Sequence, residues 1–244
     1  ELATKIKKAR VDVDYMAAKA LVGMKQNVME LNPEEKANLI QVLHKGTPAV
    51  SEKVQKAAIV ERQRLNEFGQ MRQAIGDPIM LADGTTRPFE MMENYYPLHI
   101  EPDEITRSFE VRQKIMKHLI DSGSAKTVTE AEELYDSFIK ANFKNRFGNL
   151  DYARELGIEP KEFNLERDLA RYYYGASKRI VWSDYFGTKG QKGIPEKLVP
   201  LMEQLRKEVS YDEYQWARKA VTRYFTQDAL DDALNDWFKR LRSV

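Results

Sequence analysis

Apolar residues recur at spacings of three and four along most of this chain, beginning at its first residues. Leu2, Ile6, Ala9, Val13, Met16, Ala20, Met24 and Val28 share one stripe, and no proline intervenes before Pro33. The spacing predicts one long amphipathic helix. About 28 residues at roughly 1.5 Å each make a rod of roughly 42 Å. Ala and Met fill the stripe as often as Leu or Ile. That composition suits a helix lying across a bundle better than a free-standing coiled coil.

Asn32-Pro33-Glu34-Glu35 predicts a second helix, with Asn as the cap, Pro at the first position and Glu at the third reaching back. Gly46 closes it, and Thr47-Pro48 predicts the start of a third. Val54, Ala58, Leu65, Phe68, Met71 and Ile75 line that third helix, which Gly76-Asp77-Pro78 stops. The periodicity then changes. I-M-L-A-D-G-T-T-R-P-F, residues 79–89, places Asp83-Gly84 between two short segments and predicts a β-hairpin. Two short strands are marginal alone, so they must lean on helices.

The segment E-N-Y-Y-P-L-H-I-E-P-D-E-I, Glu93 to Ile105, carries two tyrosines, two prolines, four acids and His99. Each proline pushes the residue before it towards extended backbone. Tyr95 and Tyr96 are expected to insert their rings between helices and to leave their hydroxyls near the surface. The segment therefore reads as a connector that fixes one part of a helical body to the next.

Helical periodicity returns afterwards. Pro102-Asp103-Glu104 predicts a helix start, with Ile105, Phe109, Met116 and Ile120 along it and Ser122-Gly123 at its end. Thr129-Glu130-Ala131-Glu132 fits a capping box before Leu134, Phe138 and Ala141. An irregular stretch runs from Asn145 to Phe163. Leu165, Leu169, Tyr173, Ala176 and Ile180 mark a strong helix ending near Phe186-Gly187. Leu198, Leu201, Met202, Leu205 and Val209 mark another, with Pro200 as a candidate break. Ser210-Tyr211-Asp212-Glu213 is a capping box for a helix with Tyr214, Ala217, Val221 and Phe225. A last helix holds Leu230, Leu234, Phe238 and Leu241. The fold class is all-α: an irregular multi-helix bundle with a long N-terminal helix and one small β-hairpin near 79–89. Its segments are the long N-terminal helices (1–76), the hairpin and Tyr-Pro connector (77–104) and a C-terminal helical bundle (105–244), read as one continuous domain.

Composition narrows the function. Thirty-nine basic against 38 acidic residues leave a net charge of +1, which disfavours a wholly basic nucleic-acid surface and leaves room for a local patch. There is no cysteine, hence no disulfide, thiolate nucleophile or cysteine-ligated zinc. No apolar run reaches the roughly 20 residues of a membrane span. The chain begins E-L-A-T-K without an initiator Met, and the expectation is a piece excised from a longer protein.

His99, beside tyrosines and acids, is the one candidate general base or metal ligand. No second histidine lies near it in a ligand spacing, and a metal site needs several converging ligands, so a structural role is the better reading. Glu90, Glu93, Glu101, Asp103 and Glu104 lack the spacing of a calcium loop, and helix-start acids account for two of them. Tyr172-Tyr173-Tyr174 cannot share one helix face. Core packing around Tyr173 is favoured over a base-stacking platform. Lys140, Lys144 and Arg146, interleaved with Phe143 and Phe147, form the best local nucleic-acid candidate. Lys189 and Lys192, in T-K-G-Q-K-G, form a second that lacks the phosphate-loop pattern. A solvated face explains both more simply. No catalytic, cofactor or metal motif stands out.

Two stretches resemble a known kind of protein. R-L-N-E-F-G-Q-M-R-Q-A-I-G followed by E-N-Y-Y-P-L-H-I, and G-N-L-D-Y-A-R-E-L-G-I followed by Y-Y-Y-G-A-S-K-R-I-V-W-S-D-Y-F-G, are similar to helical regions of large tailed-phage and prophage proteins. The similarity covers about half the chain. It implies a helical region of a minor head, internal virion or large polyvalent protein, and carries over no catalytic residue. The expected function is a non-enzymatic structural or interaction module, in virion assembly or as an interdomain scaffold. The alternatives are a nucleic-acid-binding helical module and an enzyme with a site around His99. Expected partners are other domains of a longer parent or other virion proteins, with nucleic acid a further candidate. Self-association would run through the N-terminal helix, no membrane is involved, and the location is the virion or the host cytoplasm.

Overall fold

A computed structural model describes residues 2–100, 107–143, 148–149, 155–187 and 196–224. The fold is all-α. Among the described residues, eight α-helices accompany two minimal sheets. The helices are α1 (Leu2–Val28), α2 (Pro33–Lys45), α3 (Glu52–Ala74), α4 (Phe109–Asp121), α5 (Val128–Phe143), α6 (Leu165–Phe186), α7 (Val199–Glu208) and α8 (Tyr211–Tyr224). Strands β1 (Pro78–Met80) and β2 (Thr86–Pro88) form the hairpin, and β3 (His99–Ile100) pairs with β4 (Gly148–Asn149).

The long N-terminal helix forms as the stripe requires, burying Ala9, Val13, Ala17, Ala20, Leu21, Met24 and Val28. Helix α2 starts on the expected capping box. The Asn32 carboxamide accepts from the Glu35 N–H at 2.9 Å, and the Glu35 carboxylate accepts from the Asn32 N–H at 3.1 Å. Gly46 ends α2 with φ +69°, a left-handed geometry that a side chain resists. The hairpin pairs Ile79 with Arg87 in antiparallel register. Its loop is closed by a Leu81 N–H to Thr85 carbonyl bond of 2.8 Å and by Asp83, which accepts from the Thr85 N–H.

Several helix starts move from their expected places, because an available hydroxyl decides where a cap forms. Helix α3 starts after Ser51, whose hydroxyl accepts from the Val54 N–H, instead of at Thr47-Pro48. Helix α4 is capped by Ser108. Phe109 is 76% exposed and Ile120 39%, while Ile115, Met116 and Leu119 face the core. The residues from Glu101 to Thr106, where that start was expected, lie outside the described residues. The cap of α5 is Thr127, accepting from the Glu130 N–H at 3.1 Å, two residues before the expected Thr129. Pro200 sits in the first turn of α7 and breaks nothing, since an N-terminal turn has no N–H bond to lose there. The capping box at Ser210 and Glu213 is present, and the expected helix beyond Phe225 lies outside the described residues. The β3–β4 ladder, two pairs long, carries no strand periodicity and was not expected.

By compactness the chain divides into two units, Glu1–Leu21 with Arg171–Val244, and Val22–Ala170. In the first, Tyr172, Tyr173 and Tyr174 are all buried. Consecutive helical residues point in different directions, so α6 is covered on more than one side there. Burial, then the Asp14 charge, pushes the Tyr174 hydroxyl up to about 12. The Tyr185 hydroxyl donates to Asp12 at 2.6 Å, tying α6 to α1. In the second unit, Leu39, Leu43, Val54, Leu65, Phe68, Ile115, Leu119, Phe138 and Leu169 are buried. The Asn27 amide and Arg64 both donate to Glu61. Glu61 itself is wholly buried.

Candidate functional site: the Tyr95-Tyr96 connector

Residues 95–100 run through the second unit as continuous buried chain, and Phe89 before them is equally covered. Burying extended backbone removes its polar groups from water, so those groups need partners inside the protein. Two arginines of α3 meet the connector, Arg62 at the Tyr95 carbonyl and Arg72 at the Tyr95 hydroxyl. Arg62 donates to the Tyr95 carbonyl at 2.6 Å and also to the Leu43 carbonyl in the last turn of α2. One guanidinium thereby joins the connector to a helix C-terminus, where a cation also meets the negative dipole end.

Arg72 is wholly buried. Its Nε donates to Asp77 Oδ2 at 2.6 Å, and its Nη1 reaches the Tyr95 hydroxyl at 3.4 Å. The guanidinium lies 3.9 Å from the centre of the Phe89 ring, and the Phe89 and Tyr95 rings stand nearly perpendicular with their centres 5.5 Å apart. The Phe89 N–H donates to the Asp77 carbonyl at 2.7 Å. A buried cation is thus satisfied by a carboxylate, a hydroxyl and an aromatic face. Close approach is secured at Gly69, where a Cβ would stand 2.2 Å from the Met91 sulfur.

Neither tyrosine hydroxyl lies near the surface as expected, because each finds a charged partner inside the protein, and Tyr96 faces a different one from Tyr95. Its hydroxyl donates to Asp168 Oδ2 at 3.3 Å, and Asp168 also accepts from the Asn164 N–H at 3.0 Å and from Arg167 Nε at 3.3 Å. Burial raises the Asp168 carboxyl above its ordinary value, against the Asn164 N–H and Arg167. Burial, then the Asp168 charge, drives the Tyr96 hydroxyl well up. The His44 ring lies 5.6 Å from Phe163 and 6.2 Å from Tyr96, with Nε2 3.6 Å from Glu159 Oε1. Burial raises the Glu159 carboxyl, but the bond and charge of Lys45, with His44, outweigh it and leave it lowered.

Of the residues that sequence grouped as candidate chemistry, the described ones are His99, Glu90, Glu93 and Lys140. His99 is 7% exposed and sits in β3 opposite Asn149. Glu90 and Glu93 face solvent, and Glu101, Asp103 and Glu104 lie outside the described residues. Among the described residues, no three His, Asp or Glu side chains gather as a metal cage. No described helix is long and apolar enough to cross a membrane. Lys140 lies on α5. Lys144, Arg146, Lys189 and Lys192 lie outside the described residues, so the two basic candidates are not brought together by any described element.

Sequence reading missed Glu61, Arg62, Arg72 and Asp168. A signal was present for two of them: Glu61 and Arg72 stand four residues before Leu65 and four after Phe68, on the apolar stripe itself. A charge on a core stripe marks a buried pair. No family model, curated protein or solved structure matches the chain.

Proposed function

We propose that this chain is a non-enzymatic helical module of a phage or prophage protein, serving virion assembly or holding neighbouring domains apart. The observation that carries this reading is the connector. Its buried charges and hydroxyls are engaged in holding extended chain between helices, with Arg62 and Arg72 as clamps. Catalytic groups, by contrast, face a cleft where a substrate can reach them. The phage assignment is supported by the two stretches between about 62 and 187 that resemble tailed-phage proteins.

The test is the genetic neighbourhood together with mass spectrometry of purified particles. Portal, terminase or tail genes beside this one, and peptides of this chain in washed particles, are the expected results. A metabolic operon, with no peptide in particles, overturns the reading. Nucleic-acid binding is the rival, and titration with duplex DNA at two salt concentrations separates the two. Phosphate neutralisation gives a steep loss of affinity with salt. The structural reading expects weak binding at low salt and none at physiological salt.

A further inference from the structure

Helix α1 has a second apolar stripe. Val11, Tyr15, Val22 and Met29 are 60%, 71%, 54% and 78% exposed. Met29 continues the helical turn, its N–H donating to the Lys25 carbonyl at 2.9 Å. With Ala18 and Lys25 the positions 11, 15, 18, 22, 25 and 29 step by four and three alternately, the spacing of a heptad seam. At 100° per residue these positions fall within a wedge of roughly 80°. The stripe of Ala9, Val13, Ala17, Ala20, Met24 and Val28, which is buried, is centred roughly opposite, with buried Leu21 at its edge. The helix therefore holds its core with one face and offers a seam with the other.

We propose that this seam is a homodimer interface in which α1 of two copies runs parallel and in register. Charge selects this occupant and direction. With Tyr15, Val22 and Met29 at one seam position and Val11, Ala18 and Lys25 at the other, the charged residues flanking the seam are Lys7 and Asp14 on one side and Asp12 and Lys19 on the other, followed by the buried Leu21 and Val28 and by Gln26. In a parallel pair each flank faces the residue five further along its partner. Lys7 then meets Asp12 of the second copy, and Asp14 meets Lys19, twice over by symmetry. Lys7, Asp14 and Lys19 are exposed. Asp12 accepts from Tyr185 through Oδ2, and a carboxylate accepts more than one donor. An antiparallel pair that overlaps the whole seam loses these four bridges and sets Lys19 against Lys19; one that keeps Asp12 against Lys19 leaves Lys25 and Met29 unpaired along the seam. Lys25 on the seam meets its own copy, a cost that fixes register as buried polar seam residues do. The inference stands whether or not the chain belongs to a virion.

Sedimentation velocity of the 244-residue chain over micromolar concentrations tests it. The expected result is a monomer–dimer equilibrium. Val22→Asp should raise the dissociation constant by at least about tenfold, with the helical melting curve of the monomer unchanged because Val22 is exposed. The chain has no cysteine, so Val11→Cys gives a single thiol. In the parallel register it cross-links to its own copy under oxidised glutathione. A monomer at every concentration overturns the proposal, including one whose seam is covered by a different protein. So does a dimer indifferent to Val22→Asp. A dimer in which Val11→Cys fails to cross-link overturns the parallel register.

Discussion

At the scale of single residues, the buried charges hold the most consequence. Arg72 and Asp77 are each covered, with their side chains 0% and 5% exposed. A hydrophobic pair of the same shape would stabilise as well, but removing one partner strands the other. Arg72→Ala leaves the Asp77 carboxylate buried without its cation and withdraws the platform from Phe89. The expected loss is about 3–5 kcal/mol, read as a lower denaturant midpoint. A loss under about 1 kcal/mol, the level of a surface bridge, would refute the clamp. Tyr96 is legible differently. Its ring was readable from sequence as packing material, but its partner Asp168 stands 72 residues away. No local pattern links the two.

Helices α2 and α3 show how an element boundary is chosen. Glu35 serves twice: its carboxylate closes the box on Asn32 and accepts from the Ser51 hydroxyl at 2.8 Å, while Ser51 caps α3. The Ser51 bond, then the Asn32 N–H, holds the Glu35 carboxyl below its ordinary value of 4.5. A carboxyl lowered in the folded state adds stability that is complete above the ordinary value and lost as pH falls through the folded one. Glu35→Gln should therefore melt below the parent at neutral pH and draw level with it in acid. Melting temperatures followed from about pH 7 to pH 3 check this. A gap that stays constant with pH contradicts the charge-based cap. The box at Asn32 was readable because all its members are consecutive. The caps at Ser51 and Thr127 were misplaced by two to four residues, because several hydroxyls there compete and packing chooses among them.

For the whole molecule, near-balanced charge governs behaviour in solution. With a sequence pI of about 8.0, self-repulsion vanishes slightly above neutrality, and solubility should pass through its minimum near pH 8. Precipitation assays from pH 5 to about 9 check this, and a minimum near pH 5 would mean that the folded chain hides much of its basic charge. Sequence alone determined the all-α class, the long first helix, the hairpin and the place of the connector. Each rests on neighbours within a turn or two, where periodicity, caps and tight turns act through local geometry. Tertiary structure decided the rest: which arginines clamp the connector, that both connector tyrosines are buried to their hydroxyls, that Asp168 receives Tyr96, that β3 finds β4, and that α1 keeps a second apolar face outside its own core. These depend on groups far apart in the chain meeting where water is excluded, and burial is a property of the assembled fold.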